Sequence, residues 1–414
     1  MVLDQHLYFL NRRKPTNLFS TCLILIMLTF IIIIIEATEI YQKCNSMARK
    51  KANTTFDEAF ERYLPRSDNY SITLADLRPG VCEATFLIRD RKLYVHKLSR
   101  SLLQYGRKNT IYLRHSEFLF PLLENVKKTE ELLQVKLPTL FFNLETQDNP
   151  TCKYPVSEII SGNINVVKGI FHHSYCSPKL CDGIILLPIS YNQNFLAMEA
   201  TKKLDLKASK IPWELKEEKL FWRGSNAGKL PEYKVFDWKL PKLPRVKAVE
   251  MCKFRKDTDV KFGFVPWQKF MKYKYTLALA GNTYSSLFKH ALRSGSCILR
   301  QEERMYEWFE PFLKEWVHYI PIKWDLSDLF TQLQWAKSND NEAKEISRRA
   351  NTLGTELFSP QFMACYIYTI MQRFYNYLDI DCNEKTYENF TEIRTVCNSK
   401  PGKRNVCQNI HTKL

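Results

Sequence analysis

The hydrophobic pattern begins with an unbroken apolar run, Leu18 to Ile35, that contains no charged residue. As a helix it is just long enough to cross a hydrocarbon core. Arg12, Arg13 and Lys14 precede it and Glu36 and Glu39 follow, which favours a cytosolic N-terminus, although Lys43, Arg49, Lys50 and Lys51 lie soon after. A cleaved signal peptide is the other reading, with Ile35-Glu36-Ala37 as a poor cleavage site. In either case the rest of the chain enters the secretory lumen. The pattern then turns polar, and residues 38–80 read as a stem whose only candidate structured piece is Leu74–Leu77, with Arg91–Tyr94 just beyond.

From Ser116 to Val135 apolar residues recur at helical spacing (Phe118, Leu119, Leu122, Leu123, Val126, Leu132, Leu133), predicting one or two helices. Leu137–Phe142 and Ile184–Ile189 are short apolar runs that predict buried strands. Beyond residue 216 strands and helices alternate. The predicted strands are Lys219–Trp222, Tyr273–Ala280, Gly295–Leu299 and Trp316–Ile322; helices are predicted over 284–293, 326–337 and from Asn339 to about Gly354. Asn339 and Glu342 have capping-box spacing, and Asp325 or Ser327 could cap the helix before it. A last amphipathic helix spans 360–379. Such alternation argues for an α/β fold with a mostly parallel, Rossmann-like sheet, whose ligands bind at the carboxyl ends of the strands.

Composition narrows the context. The formal net charge of +17 suggests an anionic partner, but the Lys and Arg are interleaved with acids, which argues against nucleic acid. Asn53-Thr-Thr55, Asn69-Tyr-Ser71 and Asn389-Phe-Thr391 are glycosylation sequons. Of the 12 cysteines only Cys22 lies in the apolar run. The others lack C-x-x-C or His/Cys zinc spacing, so disulfides are expected rather than metal, with at least one thiol left over. His172-His173 has no partner spacing that would make it a metal site.

The chemistry concentrates at two corners. The strand Lys219–Trp222 runs into Arg223-Gly224-Ser225 and a polar loop, where N–H groups, a hydroxyl and a guanidinium could converge on a phosphate. The other is Asp148, just past the strand Leu137–Phe142, where α/β enzymes place catalytic groups. By itself that residue reads first as a turn aspartate before Asn-Pro, and only other evidence would make it catalytic. Asp257-Thr-Asp259 has the form of a metal-nucleotide motif, but it sits in a charged segment with no strand before it and reads as solvated loop.

Phe221-Trp-Arg-Gly-Ser225, Tyr273-Lys-Tyr275, Gly281 followed by Ser285 and Phe288-Lys-His290, Ser294-Gly-Ser296, Glu307-Trp-Phe309 and Trp316-Val-His-Tyr-Ile-Pro321 occur in a recognisable order. That order resembles the CAP10, or Rumi-like protein O-glucosyltransferase, family of glycosyltransferases (family 90), over roughly residues 135–380. The resemblance implies a GT-B fold, two Rossmann-like domains facing a cleft. With it the chain divides into a cytosolic tail (1–17), anchor (18–35), stem (36–80), acceptor-side domain (81–215), nucleotide-sugar domain (216–379) and basic tail (380–414).

It further implies metal-independent, inverting transfer of glucose or xylose from UDP-glucose or UDP-xylose to a hydroxyl, with no cofactor. The acceptor would be serine on an EGF-like module of a glycoprotein, or a glycan. The protein would be a single-pass type II membrane protein of the endoplasmic reticulum or Golgi. Asp148 takes the family's catalytic position as general base, although Asn143 stands five residues before it instead of three. Trp222, Arg223, Gly224, Ser225, Lys229, Gly281, Ser285 and Lys289 fall at the donor. Two family arginines are missing: one position is Leu287, and a second, a few residues after Arg-Gly-Ser, is Tyr233-Lys234. Lys229, Lys234 or Lys289 could substitute as point charges. Otherwise the chain is a catalytically silent relative that binds luminal glycoproteins.

Overall fold

The computed structural model describes residues 18–60, 72–73, 84–96, 110–144, 170–172, 175–176, 184–188, 211–226, 244–281, 285, 287–302, 305–380, 384–392, 395–398 and 406–409. They build two main sheets, of five and six strands, with helices around them and three further two-stranded pairings.

The C-terminal sheet is the simpler. Glu217–Gly224, Thr258–Phe262, Tyr273–Ala278, Cys297–Gln301 and Ile320–Ile322 pair entirely in parallel. Numbered along the chain, their spatial order is 2-1-3-4-5, a doubly wound order with its switch point between the first strand and the third. The inner strands Tyr273–Ala278 and Cys297–Gln301 are buried on both faces, as a sheet covered by helices on either side requires, whereas the edge strand Thr258–Phe262 buries only Val260.

The N-terminal sheet is mixed. Leu140–Leu144, Ile170–His172 and Ile184–Leu186 are parallel, but Ala84–Arg89, Lys92–His96 and Phe390–Glu392 extend it in antiparallel fashion. An all-parallel Rossmann sheet is therefore not what this half adopts. The reason is the tight turn Asp90-Arg91, both at positive φ, which folds the chain back as a hairpin. The Ser116–Val135 pattern is one continuous helix, Thr110–Leu133, with Pro121 inside it.

Residues 36–52 are not a polar stem. One helix runs from Leu18 to Ala52, and Cys44, Ala48 and Ala52, four apart on one face, are buried. A disulfide joins Cys44 to Cys365 of the helix Pro360–Tyr375. The side chains of the expected span, residues 18–34, lie outside the described residues; among the described ones no helix is long and apolar enough to cross a membrane. The helix Pro360–Tyr375 starts where Ser359 Oγ accepts from Phe362 N and Pro360 takes the first turn. It packs toward the N-terminal sheet, Tyr366 Oη donating to the Leu186 carbonyl at 2.8 Å.

Two local expectations change for physical reasons. Asn339 is shared by the helices Leu329–Ser338 and Asp340–Leu357 and donates its amide back to the Trp335 carbonyl, while Glu342 pairs with Arg349, so no capping box forms. Gly354 does not end its helix. It lets Leu292 approach: a Cβ there would lie 2.8 Å from the Leu292 side chain.

Candidate functional site

The carboxyl ends of the first and third parallel strands are joined by one side chain that sequence reading did not single out, Arg245. It opens the helix Pro244–Cys252, which connects the first strand to the second. Its Nε donates to the Ala280 carbonyl at 2.9 Å, Nη2 to Leu279 O at 3.4 Å, and Nη1 to Ser225 O and Oγ at 3.3 and 3.4 Å. The guanidinium also lies over the Trp222 ring, 5.6 Å from its centroid. A cation is thus centred at the topological switch point, where an open parallel sheet leaves its ligand crevice. Gln301 completes this edge: its carbonyl oxygen accepts from Ala280 N at 3.1 Å and its amide donates to the Trp324 carbonyl at 2.6 Å.

The Arg-Gly-Ser corner itself is organised differently from expectation. Arg223 is not presented to an anion. Its Nη2 forms a forked pair with Asp259 at 2.8 and 2.9 Å, and Nη1 donates to the carbonyls of Asp259 and Trp222 at 2.7 and 2.8 Å. The Phe221 ring lies 4.6 Å beneath the guanidinium. Asp259 belongs to the strand Thr258–Phe262, paired directly with the Arg223 strand, so it is no solvated loop. The Arg223 side chain holds its carboxyl below the usual range against the opposing effect of burial. Asp257 is held likewise by Arg255, at 2.8 and 2.9 Å, and by Lys337. With both carboxylates committed to cations, the Asp-x-Asp pair is not set up as a metal ligand set.

Gly224 is required sterically. A Cβ at this position would stand 2.5 Å from Cζ2 of the buried Trp222 indole. Ser225 and Gly281 are half-buried and border the Arg245 guanidinium or the strand end beside it. Ser285 is buried, and its carbonyl accepts from Phe288 N. Lys289 is fully buried on the short helix Phe288–Ala291, and among the described residues its Nζ has no hydrogen-bond partner. Burial pushes its pKa down and the Glu307 carboxyl opposes this; Glu307 is itself pushed up to about 8 by burial. An interior ammonium of this kind is a poor substitute for a solvent-facing phosphate ligand. Leu287 packs against the apolar core of the C-terminal sheet.

Asp148 and Lys229 lie outside the described residues. The strand Leu140–Leu144 ends four residues before Asp148 in the sequence, and Asn143 is inside that strand, its buried Oδ1 accepting from Thr85 Oγ1 at 2.8 Å. Of the sequons, Asn69 lies outside the described residues, whereas Asn53 and Asn389 are exposed. Thr55 of the first sequon is folded into a true capping box: its Oγ1 accepts from Glu58 N, and Glu58 Oε2 accepts from Thr55 N. Among the described residues no group of three or more His, Cys, Asp or Glu could hold a metal, and Cys252 and Cys297 are buried free thiols.

A signal that could have found Arg245 is present in the sequence. Pro244 followed by Val246, Ala248 and Val249 predicts a helix start, as the crossover after the first parallel strand demands. The long stretch of sequence between Ser225 and Pro244 hid it.

The family model described as "Glycosyl transferase family 90" matches residues 133–413. Protein O-glucosyltransferase 2 of Danio rerio is 27% identical over 293 residues, 67% of this chain and 56% of that protein. Protein O-glucosyltransferase 1 of Rattus norvegicus is 31% identical over 185 residues, 43% and 47% of the two chains. Protein O-glucosyltransferase 3 of Homo sapiens is 36% identical over 105 residues, 25% of this chain and 21% of that one. The matched regions thus span from about a fifth to just over half of these relatives.

Proposed function

The chain belongs to glycosyl transferase family 90, and from that premise we propose that it moves glucose or xylose from a UDP-sugar to a hydroxyl of a luminal acceptor. The acceptor we favour is a serine of an EGF-like module, since the similar proteins are protein O-glucosyltransferases. The observation that carries the reading is Arg245, a cation bridging Ser225 and Ala280 at the switch point of a parallel sheet. It supplies in space the arginine that sequence order assigned to Tyr233-Lys234.

In this mechanism the donor diphosphate lies over the Arg-Gly-Ser corner. Asp148 takes the proton of the acceptor hydroxyl as its oxygen attacks the anomeric carbon from the face opposite UDP, so the configuration inverts. Charge then grows on the leaving diphosphate, and the Arg245 guanidinium takes it up. Its two contacts to Ser225, at 3.3 and 3.4 Å, are long for charged hydrogen bonds and can yield to a phosphate oxygen. The two sheets form the halves of a GT-B cleft. No metal takes part. The helix from Leu18 anchors the protein in the endoplasmic reticulum or Golgi membrane, with the Cys44–Cys365 disulfide formed in an oxidising lumen.

The apolar packing of Leu287 favours a second reading, a relative that binds donor or glycoprotein without turnover. The test is sugar transfer by the purified chain, offering UDP-glucose and UDP-xylose with a folded EGF-like module, beside Asp148→Asn. Transfer that disappears in the variant supports the enzyme. UDP binding without transfer to any EGF-like or glycan acceptor would favour the silent relative, and absence of both would sink the donor site.

A further inference from the structure

At the edge of the C-terminal sheet opposite the Arg245 crevice lies a cavity of about 260 Å³, lined by Lys50, Lys51, Lys314, His318, Arg348 and Arg349 and by no carboxylate. Three pieces of chain converge there. They are the last turn of the Leu18–Ala52 helix, the segment 314–318 leading into the strand Ile320–Ile322, and the middle of the helix Asp340–Leu357. Because all strands of this sheet are parallel, the amino end of that last strand faces away from the proposed donor site.

The charge does not cancel. Arg348 pairs with Glu345, Arg349 with Glu342 and Glu345, and Lys51 with Glu356. Five cations against those three acids leave an excess of two. Among the described residues, the ammonium groups of Lys50 and Lys314 make no hydrogen bond or ion pair. The carbonyl end of the Leu18–Ala52 helix opposes an anion with only about half a charge.

His318 adds a neutral donor. Its Nδ1 accepts from Lys314 N at 3.0 Å, so in the neutral ring the proton sits on Nε2. Burial, together with Lys314 and Arg349, holds its pKa down at about 4, so the ring is neutral at physiological pH. A neutral N–H beside unpaired ammonium groups matches a tetrahedral oxyanion, which takes several separate donors. A cavity of about 260 Å³ admits one such group with part of the molecule that bears it.

We propose that this pocket binds a phosphate or sulfate ester group, at a site separate from the transfer chemistry, and a phosphorylated or sulfated sugar serves as the probe. The proposal does not depend on the sugar-transfer reading, because none of its residues touches the Arg245 crevice.

The experiment is equilibrium binding to the full-length chain in detergent. The probes are glucose 6-phosphate, glucose 6-sulfate and, as neutral control, glucose, each with and without saturating UDP. The expected result is saturable binding of one or both anionic sugars and none of glucose. That binding should weaken about tenfold or more in Lys50→Gln/Lys314→Gln and persist with UDP and in Arg245→Gln. Both lysines sit at the surface, and an unchanged melting temperature shows that the double variant folds. Binding that survives the double variant but is lost with UDP or Arg245→Gln would place the anion at the donor crevice and overturn the proposal. Equal binding of glucose, or no saturable binding, would overturn it as well.

Discussion

Replacing Arg245 by Gln separates the structural work of this side chain from its proposed chemistry. Among the described residues it makes one contact of near-ideal length, 2.9 Å to Ala280 O, and three of 3.3–3.4 Å. Hydrogen bonds from a charged donor contribute about 1.5–3 kcal/mol each when well formed. Among these contacts one is well formed, the group is half-buried, and Gln retains one donor, so the loss expected from them is about 2 kcal/mol. For a domain of this size that lowers the melting temperature by about 4–8 °C. The catalytic effect is separate and larger. Removing one preorganised donor from a developing oxyanion costs about 10²–10³ in kcat, or roughly 2.7–4 kcal/mol. Arg245→Lys keeps the charge but cannot reach both strand ends, and should fall between Gln and the natural residue. The assay is steady-state transfer, with UDP affinity measured alongside, at least about 20 °C below the melting point so that unfolding does not enter. A folded Arg245→Gln protein with kcat/KM within threefold of the natural chain and unaltered UDP affinity would refute the assignment.

Other consequences concern the surroundings of that site and the opposite edge of the sheet. Asp259→Asn removes the forked partner of Arg223 and should destabilise by about 1–3 kcal/mol; urea unfolding measures this, and a loss near zero would show the fork to be dispensable. Glu310→Gln removes the charge that compensates the buried Arg300 guanidinium, now paired at 2.6 and 2.8 Å, and should cost about 3–5 kcal/mol; Arg300→Met/Glu310→Leu should recover much of it. For His318 the folded pKa of about 4 lies below the unfolded value of 6.5. The unfolded chain therefore binds the extra proton between these values, and stability falls as pH drops from 6.5 to 4. The shift corresponds to at most about 3 kcal/mol. In His318→Asn, which keeps an acceptor for Lys314 N, that part of the pH dependence should vanish from the melting curve; an unchanged profile would argue that the ring is protonated in the fold.

Much of the architecture was legible in local patterns. Alternating strands and helices after residue 216 announced a parallel sheet, and the observed order 2-1-3-4-5 fulfils it. The family was legible too, because many short motifs fell in one order. Burial patterns were less so. Residues 36–52 look polar because their buried face is made of Cys44, Ala48 and Ala52, small residues with little hydrophobic signal, which suffice only where another helix lies close. Short sequence also misplaced Asp257-Thr-Asp259, since an edge strand is half-exposed and tolerates charge.

By itself, the sequence determined what depends on neighbours within a few residues: helix and strand periods, the Pro360 helix start, and the glycine corner at 224. The tertiary structure alone decided which charges meet. Arg223 finds Asp259, 36 residues on, only because the second strand in the chain pairs beside the first at the sheet edge. Arg245 reaches Ser225 and Ala280 only because the third strand pairs on the other side. Periodicity and propensity are local free energies, whereas an ion pair depends on a distance set by strand order. Sequence spacing carries no record of that order.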